Sequence, residues 1–264
     1  MKNYESIEVE IDDSNHLAII YLNRPQQLNA FTIKYVDELI SAFKEISNDD
    51  KIRCLILSGR GKAFCAGGDV SEFQKAEKPA EFMNDLASRL HQGIEILKNM
   101  KILTIAAING VCFGAGLGYA TACDFRISVR NATFGCAFTR IGLSPDSSST
   151  FHLPKLVGLS IANEMLFLNR VLNAEEALQY NLVNKVVNSE VFMEETKNLA
   201  IEISRGAPIA FAFTKKLLKE SYKNDLETHL DREAEHIVKT AGTEDFQEGL
   251  KAFFEKRKPD FTGR

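Results

Sequence analysis

Apolar and acidic side chains alternate from Ile7 to Ile11, and a richer apolar run follows from His16 to Leu22. Both read as strands, with the Asp12-Asp13-Ser14-Asn15 cluster between them as a hairpin turn. From Thr32, a residue type suited to capping, the rhythm changes. Val36, Leu39, Ile40, Phe43 and Ile46 recur at helical spacing. A short strand is expected over Ile52–Leu57, closing on Ser58-Gly59-Arg60-Gly61. A second unit repeats the plan. Leu86, Leu90, Ile94 and Leu97 mark a helix within Phe82–Met100, and Ile102–Ile108 is a β-rich run. Asn109-Gly110, a glycine-rich turn, a helix over Ala115–Ala122 and a strand over Asp124–Val129 complete it. Strand alternating with helix indicates crossover units and a mainly parallel sheet.

Beyond Pro145 the chain turns helical, with helices expected over Leu159–Leu168, Ala174–Tyr180, Phe192–Ser204, Pro208–Tyr222 and Asp225–Ala241. Gly206-Ala207-Pro208 supplies a stop and a start between two of them. Only Leu182–Val187 interrupts as a strand. No low-complexity linker divides the halves, so the expectation is one α/β domain with a helical C-terminal portion suited to packing between subunits.

Composition narrows the function classes. With 45% hydrophobic and 26% charged residues the chain has ordinary globular balance, which excludes disorder and fibrous repeats. A net charge of -4 disfavours general nucleic-acid binding, which needs concentrated Lys and Arg. The 5 cysteines form no CxxC pattern, which points to reduced thiols and a cytoplasmic setting. Scattered histidines give no metal-ligand spacing. The charged N-terminus lacks an apolar signal core, and no apolar run is long enough to span a membrane.

Three segments carry candidate chemistry. Gly61-Lys62-Ala63-Phe64-Cys65-Ala66-Gly67-Gly68-Asp69 follows one strand, and Asn109 to Gly118 follows another. Each brings small residues to a helix start, where backbone N–H groups face outward. The second is not a dinucleotide fingerprint, because Tyr119 breaks the GxGxxG spacing. Two such amides converging on one point would form an oxyanion hole, a cradle for an enolate oxygen. The third segment, Ile141 to Thr150, holds Pro145-Asp146-Ser147. There Asp146 reads either as a helix cap or as a general base. The serine triplet has no GxSxG elbow and no evident histidine partner.

In order along the chain, Leu22-Asn23-Arg24-Pro25, Leu28-Asn29-Ala30-Phe31, the AFCAGGD turn, NGVCFGAGLGYATACD, Ala174-Glu175-Glu176-Ala177 and the closing Glu248-Gly249 to Phe261 stretch resemble the crotonase (enoyl-CoA hydratase/isomerase) superfamily. The resemblance implies a ββα-spiral core over residues 1–200 and a helical trimerisation portion over residues 201–264. It also implies a homotrimer or hexamer acting on acyl-CoA thioesters, with CoA as part of the substrate and no separate cofactor or metal. Ala66 and Ala115 would donate the oxyanion amides. Lys62, Gly67, Gly68, Asp69, Val70, Phe138, Phe253 and Lys256 would contact substrate. Asp69 would chiefly order its turn, and Cys65 would be a small buried thiol.

Hydratases of this superfamily carry two glutamates, at positions occupied here by Gly118 and Phe138. Neither replacement can move a proton. The resemblance implies a third acid position, in the L-x-P-[DE] context seen in enoyl-CoA isomerases and ring-epoxide isomerases, and Asp146 occupies it. The activity implied is a shift of 3-enoyl-CoA to 2-enoyl-CoA. Behind it stand isomerisation of a ring epoxide of the 1,2-epoxyphenylacetyl-CoA type, hydration, and a non-catalytic RNA-binding role. A free aspartate titrates near pH ~3.9, so an apolar setting from Phe138, Phe113 or Phe151 is expected around this base.

Overall fold

A computed structural model describes residues 2–264. The chain begins with β1 (Ile7–Asp12), β2 (Leu17–Leu22), α1 (Ile33–Ser47), β3 (Cys54–Gly59) and β4 (Ala63–Cys65). There follow α2 (Val70–Lys75), α3 (Pro79–Asn99), β5 (Leu103–Ile108), β6 (Val111–Phe113), α4 (Ala115–Ala122), β7 (Phe125–Val129) and β8 (Thr133–Gly135). Next are α5 (Ser149–Phe167), β9 (Leu172–Asn173), α6 (Ala174–Gln179) and β10 (Lys185–Val187). The chain closes through α7 (Phe192–Ser204), α8 (Pro208–Glu220), α9 (Leu226–Ala241) and α10 (Glu244–Glu255). Among the described residues no helix is long and apolar enough to cross a membrane.

The opening hairpin and first helix follow their sequence pattern. Asp12 Oδ1 accepts from Ser14 Oγ at 2.6 Å and from the Asn15 amide at 3.1 Å, which closes the β1–β2 turn. Thr32 caps α1 by accepting from the Tyr35 amide. Val36, Leu39, Ile40, Phe43 and Ile46 are all buried on one face of that helix.

A six-stranded sheet runs β1-β2-β3-β5-β7-β10, and a four-stranded sheet runs β4-β6-β8-β9. In the larger sheet only β1 and β2 pair antiparallel. The units β3-β4, β5-β6 and β7-β8 each place one strand in the large sheet and its successor in the small one, before the chain leaves for a helix. This is the ββα spiral. Its consequence is positional: β4 pairs parallel with β6 and β6 with β8, so the segments leaving three successive short strands emerge at one edge. Ligand sites form outside the carboxyl ends of parallel strands for this reason.

Several boundaries differ from expectation. The third strand lies at Cys54–Gly59, two residues later than expected, because Arg53 is held by the His16 carbonyl before the ladder begins. The short strands β4 and β6 fall inside stretches read as turns, and β8 falls in a stretch given no element; three residues are too few for a periodic signal. The helix expected from Leu159 starts at Ser149 and breaks at Gly158 (φ 76°, ψ 161°), so only its second part matches. The strand expected over Leu182–Val187 shrinks to Lys185–Val187, and β9 adds a second interruption of the helical half.

One buried ion pair ties the C-terminal helices to the large sheet. Lys215 Nζ on α8 donates to Asp124 Oδ2 at 2.7 Å and to the Ile102 carbonyl at 2.9 Å. Asp124 Oδ2 also accepts from the Thr104 amide and hydroxyl, both at 2.9 Å. Removing the ammonium strands a buried carboxylate, so Lys215→Met should destabilise the fold by about 3–5 kcal/mol. Urea unfolding at neutral pH reads this directly; a variant as stable as wild type would refute it.

Candidate active site

The first glycine turn rests on a rail made by residues 28–31. Phe31 N donates to the Gly67 carbonyl at 2.8 Å, and Asp69 N donates to the Phe31 carbonyl at 2.9 Å. Asn29 is buried and left-handed (φ 57°), with its side chain spent on the main chain. It accepts from Arg24 N and donates to the carbonyls of Arg60 and Ala63. Arg24 donates to Ala30 O at 2.7 Å and to Asp69 Oδ2 at 3.2 Å. The Asn-Arg-Pro and Leu-Asn-Ala motifs are therefore the scaffold of the turn. Asp69 closes it by capping α2 and accepting from Ser71. Burial opposes its charged form, but the hydrogen bonds from Ser71 and Arg24 outweigh it and hold the carboxyl below its ordinary value.

The two glycine turns touch. Gly67 (φ 106°) and Gly114 (φ 53°) both adopt backbone that L side chains rarely enter. A Cβ added to Gly67 would lie 3.4 Å from the Phe113 carbonyl and 3.7 Å from the Ala115 nitrogen. Ala115 is the first residue of α4, and its amide has no partner among the described residues. Ala66 departs from expectation. Its amide donates to the Leu28 carbonyl at 3.0 Å and so is consumed by the rail. The neighbouring Gly68 amide is the one left without a partner among the described residues. The pair of available amides is Gly68 and Ala115, not Ala66 and Ala115.

The third segment closes against the second. Phe138 Cζ lies 3.9 Å from where a Gly114 Cβ would stand, so this ring is brought to the turn. Ser147 is buried and left-handed (φ 53°), and it sits on Gly118, one turn along α4 from Ala115. A Cβ on Gly118 would meet the Ser147 carbonyl at 2.1 Å. Asp146, next to this anchor, does not cap α5 with its carboxylate; its main-chain carbonyl accepts from the Ser149 amide and hydroxyl instead. The carboxylate meets His91 Nε2 at 2.5 Å and accepts from Ser147 Oγ at 3.3 Å. This setting is polar rather than the aromatic one expected. Phe113 is half-buried, and Phe151 is exposed with Lys155 Nζ 3.1 Å over its ring. His91 carried no sequence signal, being one polar position on the outer face of α3.

The remaining expected contacts vary. Lys62 and Val70 are exposed at the rims of the first turn. Phe253 is 76% exposed and edge-on to Phe254, and Lys256 is an exposed left-handed C-cap of α10. Neither is buried against the turns within one chain. Cys65 is fully buried, and burial pushes its thiol up to about 12, which makes it a packing residue rather than a nucleophile. A cavity of about 1260 Å³ between α8, the end of α3 and the C-terminal tail contains none of the candidate residues.

The serine triplet does have a histidine neighbour, contrary to expectation. His152 Nδ1 lies 2.9 Å from Ser148 Oγ. Burial, with Lys98, Lys155 and Arg126 nearby, lowers the imidazole to about 4, leaving it a poor base. Above pH 6.5 it is neutral folded or unfolded, and its linkage to stability is flat. Below 6.5 the unfolded chain takes up a proton that the folded chain refuses, so stability is lost as pH falls toward 4. At about 1.4 kcal/mol per pH unit the loss approaches roughly 3 kcal/mol. Denaturant unfolding between pH 7.5 and 4.5 should show this slope in wild type and a shallower one in His152→Gln.

The comparisons with known proteins agree with this architecture. The enoyl-CoA hydratase/isomerase family profile matches residues 12–264. Crotonyl-CoA hydratase of Syntrophomonas wolfei is 34% identical over 264 residues, 99% of either chain. 1,2-Epoxyphenylacetyl-CoA isomerase of Escherichia coli is 33% identical over 245 residues, 92% of this chain and 94% of its own. The crystal structure of an enoyl-CoA hydratase from Bacillus anthracis superposes with a TM-score of 0.94 at 33% identity, covering 98% of this chain and all of that one. Hydratase and isomerase names both occur among these relatives. With the spiral, its paired glycine turns and a matching profile along nearly its whole length, the chain belongs to the enoyl-CoA hydratase/isomerase family.

Proposed function

We propose that this enzyme is an acyl-CoA double-bond isomerase that converts 3-enoyl-CoA to 2-enoyl-CoA with Asp146 as its base. The thioester oxygen accepts from the Gly68 and Ala115 amides, which stabilise the dienolate as negative charge develops. Asp146 removes a proton from C2, the electron pair delocalises onto the thioester oxygen, and the same proton returns to C4. The carboxylate is regenerated, so one base suffices. Exposed apolar residues on α8 and α9, among them Leu218, Leu226, Ile237 and Val238, support assembly as a homotrimer or hexamer.

The observation that carries this reading is the seat of Ser147 on Gly118. Where hydratases of the family place a glutamate, this chain packs a backbone carbonyl with no room for a side chain. With Phe138 at the second glutamate position, the acid this reading assigns is Asp146, which adjoins the residue seated on Gly118. The similarity to the 1,2-epoxyphenylacetyl-CoA isomerase favours a second reading, rearrangement of a ring epoxide on the same base. Purified protein given 3-hexenoyl-CoA should gain conjugated-enoyl absorbance. Efficient hydration of crotonyl-CoA without that gain would defeat the proposal and favour hydration. Turnover of an aromatic epoxide thioester alone would favour the second reading.

A further inference from the structure

Asp146 lies on a short loop in which two successive residues, Ser147 and Ser148, are left-handed. The loop main chain is anchored on Gly118 and on the start of α5, but the carboxylate is 30% exposed and has few partners. Ser147 Oγ reaches Oδ2 only at 3.3 Å. The short contact is His91 Nε2 to Oδ1 at 2.5 Å, made across 55 positions of sequence.

The backbone beneath His91 is unusually well fixed. On its N-terminal side the Leu90 carbonyl accepts from the buried Tyr119 hydroxyl of α4 at 3.1 Å. Two residues beyond, a Cβ on Gly93 would meet the same hydroxyl at 2.2 Å, so α3 and α4 are in close contact there. Tyr119 follows Gly118, on which the Asp146 loop is seated. One packed unit therefore sets the position of His91, the loop and the Ala115 amide relative to each other.

We propose that His91 is a positioning residue for Asp146: its Nε2–H holds Oδ1, which leaves Oδ2 as the oxygen that exchanges the proton with substrate. The inference rests on the isomerase reading of the same site. His91 keeps its proton throughout. In the forward step the C2–H bond breaks, its electron pair enters the dienolate, and an O–H bond forms at Oδ2. In the return step that O–H breaks as C4–H forms. Held by one oxygen, the carboxylate cannot rotate its new O–H away between the two steps.

The test compares His91→Leu, which lacks a donor, with His91→Gln, which retains an N–H. Misplacement of a reacting group costs on the order of a hundredfold. His91→Leu should lose about ten- to a hundredfold in kcat on 3-hexenoyl-CoA, with KM nearly unchanged, and His91→Gln should recover most of it. A second assay follows exchange of the C2 protons of phenylacetyl-CoA in D2O by mass spectrometry. That thioester has no double bond to shift, so exchange reports the base whether or not the enzyme isomerises. Slower exchange in His91→Leu but not in His91→Gln supports the inference even if 3-hexenoyl-CoA is not turned over, in which case the isomerase reading alone fails. Exchange at the wild-type rate in His91→Leu, equal losses in both variants, or no exchange in wild type would overturn it.

Discussion

Asp146→Asn should turn over 3-hexenoyl-CoA about a thousandfold more slowly than wild type, within the ~10²–10⁴-fold range that a positioned general base contributes. The amide matches the carboxylate in shape, and its oxygen can still accept from His91. The main-chain bonds from the Asp146 carbonyl to Ser149 do not involve the side chain. What disappears is the anionic oxygen that binds the C2 proton. Unfolding in urea should therefore be close to that of wild type while kcat collapses. A variant that keeps wild-type turnover would show that another group is the base.

Ala115→Pro should lower kcat by about a hundred- to a thousandfold, the usual consequence of losing one oxyanion donor, or roughly 3–4 kcal/mol of transition-state stabilisation. The substitution suits this position because Ala115 is the first residue of α4, where proline is tolerated and the N–H has no helical partner. The ring removes the donor and places a carbon where the thioester oxygen would sit. Ala115→Gly keeps the N–H and should keep most of the activity, which separates loss of the donor from disturbance of the helix. The same logic distinguishes the amides of the first turn. Because the Ala66 amide is already bonded to Leu28, it has nothing to give an oxyanion. If Ala115→Pro leaves kcat unchanged, the thioester oxygen is not held at this pair of turns.

Much of this enzyme is local information. Helical spacing in Val36 to Ile46 and in Leu86 to Leu97 reports which face is buried, because burial repeats with the turn of the helix. The central strands and the two glycine turns are equally legible, since apolar runs and positive-φ glycines leave their mark within a few residues. That positions 118 and 138 hold glycine and phenylalanine rather than acids is equally plain in the sequence.

Other features arise only when distant segments meet. Whether Ala66 or Gly68 offers its N–H depends on a carbonyl at Leu28, and no property of the AFCAGGD turn itself records that bond. His91 looks like any solvent-facing helical residue until α3 packs on α4 and the Asp146 loop settles on Gly118. The amino-acid order determined the spiral, its glycine turns and the acid on the third segment, because each depends on short-range periodicity and backbone freedom. Tertiary structure alone decided which amides stay unpaired and which side chain orients that acid, because hydrogen-bond partners are assigned by packing between residues far apart in the chain.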